Sequence, residues 1–313
     1  MSEVVTLGET MALVAAPQIG LLRHATDLRL SCGGAESNLA IGVARLGHRA
    51  TWIGRVGDDE FGVMVSRMLG AEGVAGRVRV DPAAPTGLMV KYRRTGTVTQ
   101  VLYYRKGSAG SRLDRSDVEP EVIGAARVLH LTGITPALSD TARDAVGYAV
   151  DVARAAGVPV SLDLNYRSKL WSPDQAGPVL ADLVRRADLV FATEPEARLV
   201  VEGTDPAGLA RALSARGPGQ VVIKRGALGA VALVDGDLLE VPPYPVTEVD
   251  PVGAGDAFAA GYLSTLLDGG GPAKRLDTGA LAGAFTVTVP GDWEGLPHPA
   301  DLELLRVQEG VLR

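Results

Sequence analysis

Val128-Leu129-His130-Leu131, then Asp140–Ala155, then Val158-Pro159-Val160-Ser161-Leu162 is the stretch on which the fold turns. The two outer runs are short and apolar almost throughout, which suits strands buried on both faces. The segment between them repeats its apolar residues at helical spacing. Strand, helix and strand in that order make a parallel crossover unit. The alternation continues in both directions. Val4–Leu7, Thr51–Ile53, Leu189–Phe191 and Val221–Ile223 read as further buried strands. Glu36–Leu46, Phe61–Leu69, Pro178–Arg186 and Pro206–Ala215 read as helices. A β-rich piece, Ala230–Val241, precedes two more helices, Gly255–Leu267 and Lys274–Val287. The predicted class is α/β, with a mostly parallel central sheet and helices on both faces.

Two segments break the alternation. Leu13–Leu30 and Thr86–Arg105 are strand-like with no helix between. Thr86–Arg94 and Thr97–Arg105 can pair as a hairpin around Arg94-Thr95-Gly96. Both are read as a small β layer inserted in the main domain: a lid over a site, an edge extension or an oligomer contact. No repeat, low-complexity tract or long linker is visible. Residues 1–313 are therefore expected to form a single domain, with lid segments at about 13–30 and 86–105.

A chain of 313 residues with 46% hydrophobic content can bury a core without staples. The single cysteine, Cys32, permits no internal disulfide and reads as a small buried hydrophobe. A net charge of -6 argues against a nucleic-acid partner. No apolar run is long enough for a membrane span. Met1–Val5 lacks the basic and apolar regions of an export signal. The expectation is a cytoplasmic protein with neither membrane nor nucleic acid as partner. His24, His48, His130 and His298 show no ligand spacing, so no zinc site is expected.

The sharpest local signal is Asp250-Pro251-Val252-Gly253-Ala254-Gly255-Asp256-Ala257-Phe258, which joins a loop to an apolar helix. Gly253 and Gly255 allow unusual backbone angles and close approach of a ligand. The helix N-terminus offers unpaired N–H groups and the positive end of its dipole, a suitable anion hole for a phosphate. Asp256, at the same helix start, is placed to take a proton from a hydroxyl. Together these are the parts of phosphoryl transfer to an alcohol. The helix end is expected to lower the pKa of Asp256 and weaken it as a base. Taken alone, the motif equally describes an Asp N-cap after a glycine loop. A dinucleotide fingerprint is broken by Phe258 where its third glycine belongs, which disfavours a nicotinamide oxidoreductase.

Upstream, Ser31-Cys32-Gly33-Gly34-Ala35-Glu36-Ser37-Asn38 runs from a strand into a helix. The glycines leave space against bare backbone, and Asn38 offers donors and acceptors to a polyol. A tight turn with Asn38 on a solvated face fits as well. Gly54–Asp59 reads as a structural glycine turn, and Pro242-Pro243-Tyr244-Pro245 as a stiff connection. Trp293 either borders a sugar or packs in the core.

With both glycine motifs in hand, the chain resembles the ribokinase-like (PfkB) carbohydrate kinases along essentially its whole length. The resemblance implies a ribokinase-like three-layer fold with a β-sheet lid, ATP and Mg²⁺, and Asp256 as general base. Gly253, Ala254 and Gly255 would form the anion hole. Within the family it is most similar to 2-keto-3-deoxygluconate kinases. The matching stretches include Tyr103-Tyr104-Arg105-Lys106-Gly107-Ser108-Ala109, Asp163-Leu164-Asn165-Tyr166-Arg167 and Gly291-Asp292-Trp293-Glu294-Gly295-Leu296-Pro297. That resemblance implies phosphorylation of 2-keto-3-deoxygluconate to 2-keto-3-deoxy-6-phosphogluconate. Substrate contacts would fall on Gly34, Asn38, Tyr103, Arg105, Ile134, Arg167, Asp256 and Asp292. Nucleotide contacts would fall on Asn165, Arg167, Lys224, Gly226, Gly229 and Gly253 to Asp256. Glu196 would help hold Mg²⁺ through water, and a homo-oligomer is implied. Two positions depart from the pattern: Thr193 stands where an Asn is usual, and Met89 where a lid tyrosine faces the substrate. The alternatives are a fructokinase, ribokinase or nucleoside kinase of the same family, or a non-catalytic sugar-acid sensor.

A sugar acid agrees with the residues themselves. Burying its carboxylate requires paired positive charge. Arg105 supplies a planar fork, and Arg167 follows a strand at the end where open α/β sheets bind ligands. Lys91, Arg93 and Arg94 are read as solvated lid charges.

Overall fold

The computed structural model describes residues 2–96 and 98–306. The first part of the chain runs β1 (Val4–Leu7), β2 (Met11–Ile19), β3 (Arg29–Gly33), α1 (Ala35–Arg45), β4 (Ala50–Gly57), α2 (Glu60–Ala71), β5 (Ala75–Asp81), β6 (Leu88–Arg93) and β7 (Thr99–Tyr104). The middle runs α3 (Pro120–Gly124), β8 (Val128–Thr132), α4 (Asp140–Ala155), β9 (Val160–Asp163), α5 (Pro173–Arg186), β10 (Leu189–Thr193), α6 (Glu194–Ala197), α7 (Pro206–Ser214) and β11 (Gln220–Lys224). Then come β12 (Ala230–Val234), β13 (Asp237–Val241), α8 (Ala254–Leu267), α9 (Pro272–Thr286) and α10 (Pro299–Leu302).

Nine strands form the main sheet in the order β13-β12-β11-β10-β9-β8-β1-β4-β5. Those from β11 to β5 pair in parallel, and β12 and β13 add an antiparallel edge. Alternate side chains of a strand enter opposite cores. Val4, Trp52, Val128, Phe191 and Val222 meet Leu39, Val65, Phe258 and Leu276 from α1, α2, α8 and α9. Val5, Ile53, Leu129, Val190 and Val221 meet Ala145, Leu180 and Leu209 from α4, α5 and α7. Both faces are dry, which explains why the strands show no polar alternation. Phe191 stacks edge-on against Tyr262 at 5.3 Å and Phe258 at 6.2 Å. Each buried ring contributes roughly 1.5–3 kcal/mol. They pin α8, and with it the Gly253–Asp256 turn, onto the sheet.

Several boundaries differ from the sequence expectation, and two of them have a local cause. Helix α5 starts at Pro173, not Pro178, because Ser172 and Gln175 form a capping box and Pro178 is carried inside the helix. Proline favours the first helical position, but the Ser-x-x-Gln signature upstream decides. Strand β9 starts at Val160, after Pro159, which has no N–H to give the ladder.

The lid is a separate sheet in the order β3-β2-β6-β7. Its β6–β7 pair is antiparallel, from Leu88 opposite Tyr104 to Arg93 opposite Thr99, as the hairpin reading requires. Thr97, which began the expected second strand, lies outside the described residues. Strands β2 and β6 pair in parallel. Met11, Leu13 and Met89 form a small apolar core under this sheet. Among the described residues no helix is long and apolar enough to cross a membrane.

Candidate active site

Between lid and main sheet lies a cleft of about 850 Å³. Every site residue expected from sequence lines it: Gly34, Asn38, Tyr103, Arg105, Ile134, Asn165, Arg167, Glu196, Lys224, Gly226, Gly229, Gly253, Ala254, Gly255, Asp256 and Asp292.

Gly253 is the N-cap of α8 and adopts φ 84°, ψ -13°. A Cβ there would stand 2.0 Å from the Asp292 carbonyl oxygen. The turn therefore demands glycine twice over, by conformation and by space. As the first helical residues, Ala254, Gly255 and Asp256 have no intrahelical acceptors for their N–H groups. Asp256 is thus in the first turn and is not the N-cap.

The carboxylate of Asp256 accepts a hydrogen bond from Asn38 Nδ2 at 2.8 Å. Asn38 is buried, not on a solvated face, and its amide orients the candidate base. Desolvation in the cleft pushes the Asp256 carboxyl up to about 7, with the Asp163 carboxylate adding to it. Asn38, Arg167 and Lys224 pull the other way and lose. This overturns the expectation of a lowered pKa. A helix end is worth about 0.3–1 kcal/mol, less than one pKa unit, whereas desolvation can reach roughly 3–5 units.

Near the base, Lys224 is paired with Asp163. Burial pulls its pKa down, but Asp163 and Glu196 outweigh that and hold the ammonium above its ordinary value. Glu196 closes the capping box of α6: Oε2 accepts from Thr193 N at 2.7 Å and from its hydroxyl at 2.9 Å. Its Oε1 accepts from Tyr166 N at 2.9 Å. Thr193 thus serves as a helix cap at the position where the family pattern has Asn. Asp163 and Glu196 suit a hard cation that keeps most of its waters, as Mg²⁺ does beside a nucleotide. Among the described residues no group of three or more His, Cys, Asp or Glu forms a closed metal cage. Pro243, Tyr244, Pro245 and Val246 line the cleft, as do Ala280, Gly283, Ala284 and Val287, so the proline stretch is wall as well as connection.

The lid end is more highly charged than expected. Arg105 gives Nε, at 2.7 Å, and Nη2, at 2.5 Å, to Oε2 of the fully buried Glu9. Its guanidinium also lies 5.8 Å from the Tyr103 ring, and Lys169 Nζ lies 5.6 Å from the same ring. Lys91 is not a solvated charge. It is 5% exposed, with Nζ 2.6 Å from Asp250 and 2.7 Å from Asp292. Arg93 is half-buried and donates to the Val249 carbonyl at 3.2 Å, so only Arg94 is exposed as read. Met89 is buried in the lid core, its tip against Gly33. Trp293 packs in the core: Nε1 donates to the Cys32 carbonyl at 3.0 Å, and Arg45 lies 5.2 Å from its ring. Cys32 is buried and its thiol is pushed up to about 12 by desolvation, so it stays inert.

A glycine-cradled helix start beside a buried carboxylate, under a β lid, is suited to phosphoryl transfer to a hydroxyl. The family model described as pfkB family carbohydrate kinase matches residues 1–299. The chain belongs to that family. As a pfkB carbohydrate kinase, it is 38% identical to the 2-dehydro-3-deoxygluconokinase of Bacillus subtilis, covering 94% of this chain and 92% of that one. It is 35% identical to the 2-dehydro-3-deoxygalactonokinase of Haloferax volcanii, over 93% and 92%. A solved PfkB protein from Polaromonas sp. JS666 superposes with TM-score 0.89 at 38% identity, over 97% and 99%. A putative ribokinase II from E. coli, in complex with ATP and Mg²⁺, gives 0.90 at 27%, over 98% and 99%. Glu9, Glu36, Lys91 and Glu248 also line the cleft, with Asp163 and Asp250 paired to its lysines, and the sequence reading named none of them as parts of the site. Asp250 and Asp163 stood inside quoted motifs, so their acidity beside a phosphate site was the available signal. Glu9 and Lys91 carried none, because their burial depends on how the lid docks.

Proposed function

We propose that this kinase moves the γ-phosphoryl group of ATP to the 6-hydroxyl of 2-keto-3-deoxygluconate. The observation that carries the reading is Arg105, held by Glu9 at the lid end of the cleft through Nε and Nη2, so that Nη1, which has no ion pair among the described residues, is offered to a ligand carboxylate. Asp292 and Tyr103 line the same cleft for the hydroxyls, with Gly34 and Ile134 giving room, and Asn38 aims the base. Asp256 takes the hydroxyl proton as the new O–P bond forms and ADP departs. The N–H groups of Ala254, Gly255 and Asp256 meet the charge on the transferring group. Asn165, Arg167, Lys224, Gly226 and Gly229 face the ATP phosphates, and the wall of Pro243–Val246 and Ala280–Val287 suits the flat adenine. Mg²⁺ would be held through water by Glu196, beside Asp163, and supplies neutralising charge to the phosphates. The described residues act as one domain with the lid inserted.

Coupled ADP release with 2-keto-3-deoxygluconate, fructose and ribose side by side tests the substrate. The sugar acid is expected to win clearly in kcat/KM. Arg105→Ala raises its KM about 10–10²-fold, the worth of hydrogen bonds to a charged group, and leaves KM for ATP unchanged. An equal loss with fructose shows that the guanidinium reads no carboxylate. Relatives named for gluco and for galacto acids both align, so the 4-epimer belongs in the panel.

The chain also self-associates through the lid in this proposal. Ile19, Leu30, Leu102 and Tyr104 stand exposed on β2, β3 and β7, an unusual density of bare apolar groups for one small sheet. Sedimentation velocity is expected to show a dimer or larger, and a monomer at micromolar concentration removes this part.

A further inference from the structure

Lys91 is a lid residue whose charge reaches the loop that leads into the Gly253 turn. Its ammonium sits between Asp250 Oδ2 at 2.6 Å and Asp292 Oδ1 at 2.7 Å, and all three residues are at most 5% exposed. Asp250 already ties two loops together. Its Oδ1 accepts from Val252 N at 3.3 Å, in the turn leading to Gly253, and its Oδ2 from Gly291 N at 3.1 Å. Asp292 belongs to the second loop, and its carbonyl seats against Gly253. Its Oδ2 lies next to Gly33 on the cleft side, so Lys91 engages one oxygen and leaves the other toward the sugar. Two buried carboxylates and one ammonium carry a net charge of about -1. Removing the ammonium leaves two uncompensated anions beneath a site that must attract a phosphate, and buried charges without partners are strongly unfavourable.

We propose that Lys91 is a positioning residue, a resident cation that locks the lid to the Asp250 and Asp292 loops and so sets the register of the anion hole. The role rests on the anion hole at Gly253–Asp256 and not on which sugar is bound. The assay therefore uses whichever panel sugar the wild-type enzyme phosphorylates, which separates a failed substrate reading from a failed role for Lys91.

Lys91→Ala is expected to lower kcat about 10²-fold, the usual effect of a misplacement near 1 Å, with a smaller change in KM for ATP. n-Propylammonium, which replaces the deleted atoms from Cγ to Nζ, restores kcat saturably, while n-propanol does not. Since Lys91→Ala alone can unfold the lid, a second variant, Lys91→Met with Asp250→Asn, removes charge in balance. It is expected to melt near the wild-type temperature and still show the kcat loss. Wild-type kcat in the folded double variant, or recovery of melting temperature by the amine with no recovery of kcat, overturns the proposal.

Discussion

Asp256→Asn is expected to fold normally and to lose on the order of 10²–10⁴ in kcat, about 3–5 kcal/mol of transition-state stabilisation. The amide oxygen can still accept from Asn38, so the local geometry survives. What disappears is the proton acceptor. Stability should move the other way. The folded-state pKa of Asp256 is raised to about 7 from an ordinary 3.8, so the folded protein binds the proton more tightly than the unfolded chain. Stability is thus lost as pH rises from about 4 to about 7, and the ionised carboxylate remains a burden above that. The amide removes the burden, and melting at pH 8 should show the variant at least as stable as wild type. The same shift predicts an acid limb in wild-type kcat/KM, with activity rising through an apparent pKa near 7, and no such limb in the residual activity of the variant. A variant that turns over at the wild-type rate, or a wild-type profile flat from pH 5.5 to 8, removes Asp256 as the base.

What the sequence carried and what it hid follow from the range of the interactions involved. Helix α4 was legible to both ends, because the Ser139 cap and the apolar period are local. The glycine turns were legible because backbone geometry is written in residue type. The fate of charges was not. Lys91 and Arg94 sit three residues apart on one hairpin and look alike in sequence, yet one is buried between two carboxylates and the other is exposed. The partners of Lys91, Asp250 and Asp292, lie far along the chain, so only the docked lid distinguishes the two cations. Asp256 shows the same limit in energetic form. The helix start that lowers its pKa is readable, but the desolvation that overrides it arises from a cleft assembled from the whole fold.

Gly253→Ala is the second large effect, and it tests the anion hole without touching the base. The added Cβ meets the Asp292 carbonyl at 2.0 Å, and that neighbour is backbone, which cannot swing aside. Alanine must also hold φ near 84°, a left-handed conformation that costs roughly 1–2 kcal/mol. Either the Gly253 turn or the Asp292 loop has to move, and both border the reacting groups. The expected result is a drop in kcat of about 10²-fold or more, the loss seen when oxyanion donors are removed, together with a lower melting temperature. Gly255→Ala provides the contrast. Its Cβ would meet only Lys224 Nζ, at 3.2 Å, the far end of a flexible side chain. That variant should keep its melting temperature while KM for ATP rises, since Lys224 is nudged from its place beside Asp163. The two glycines are two residues apart in one motif, so composition cannot separate them. If both substitutions leave kcat unchanged, the backbone at the start of α8 does not hold the transferring group.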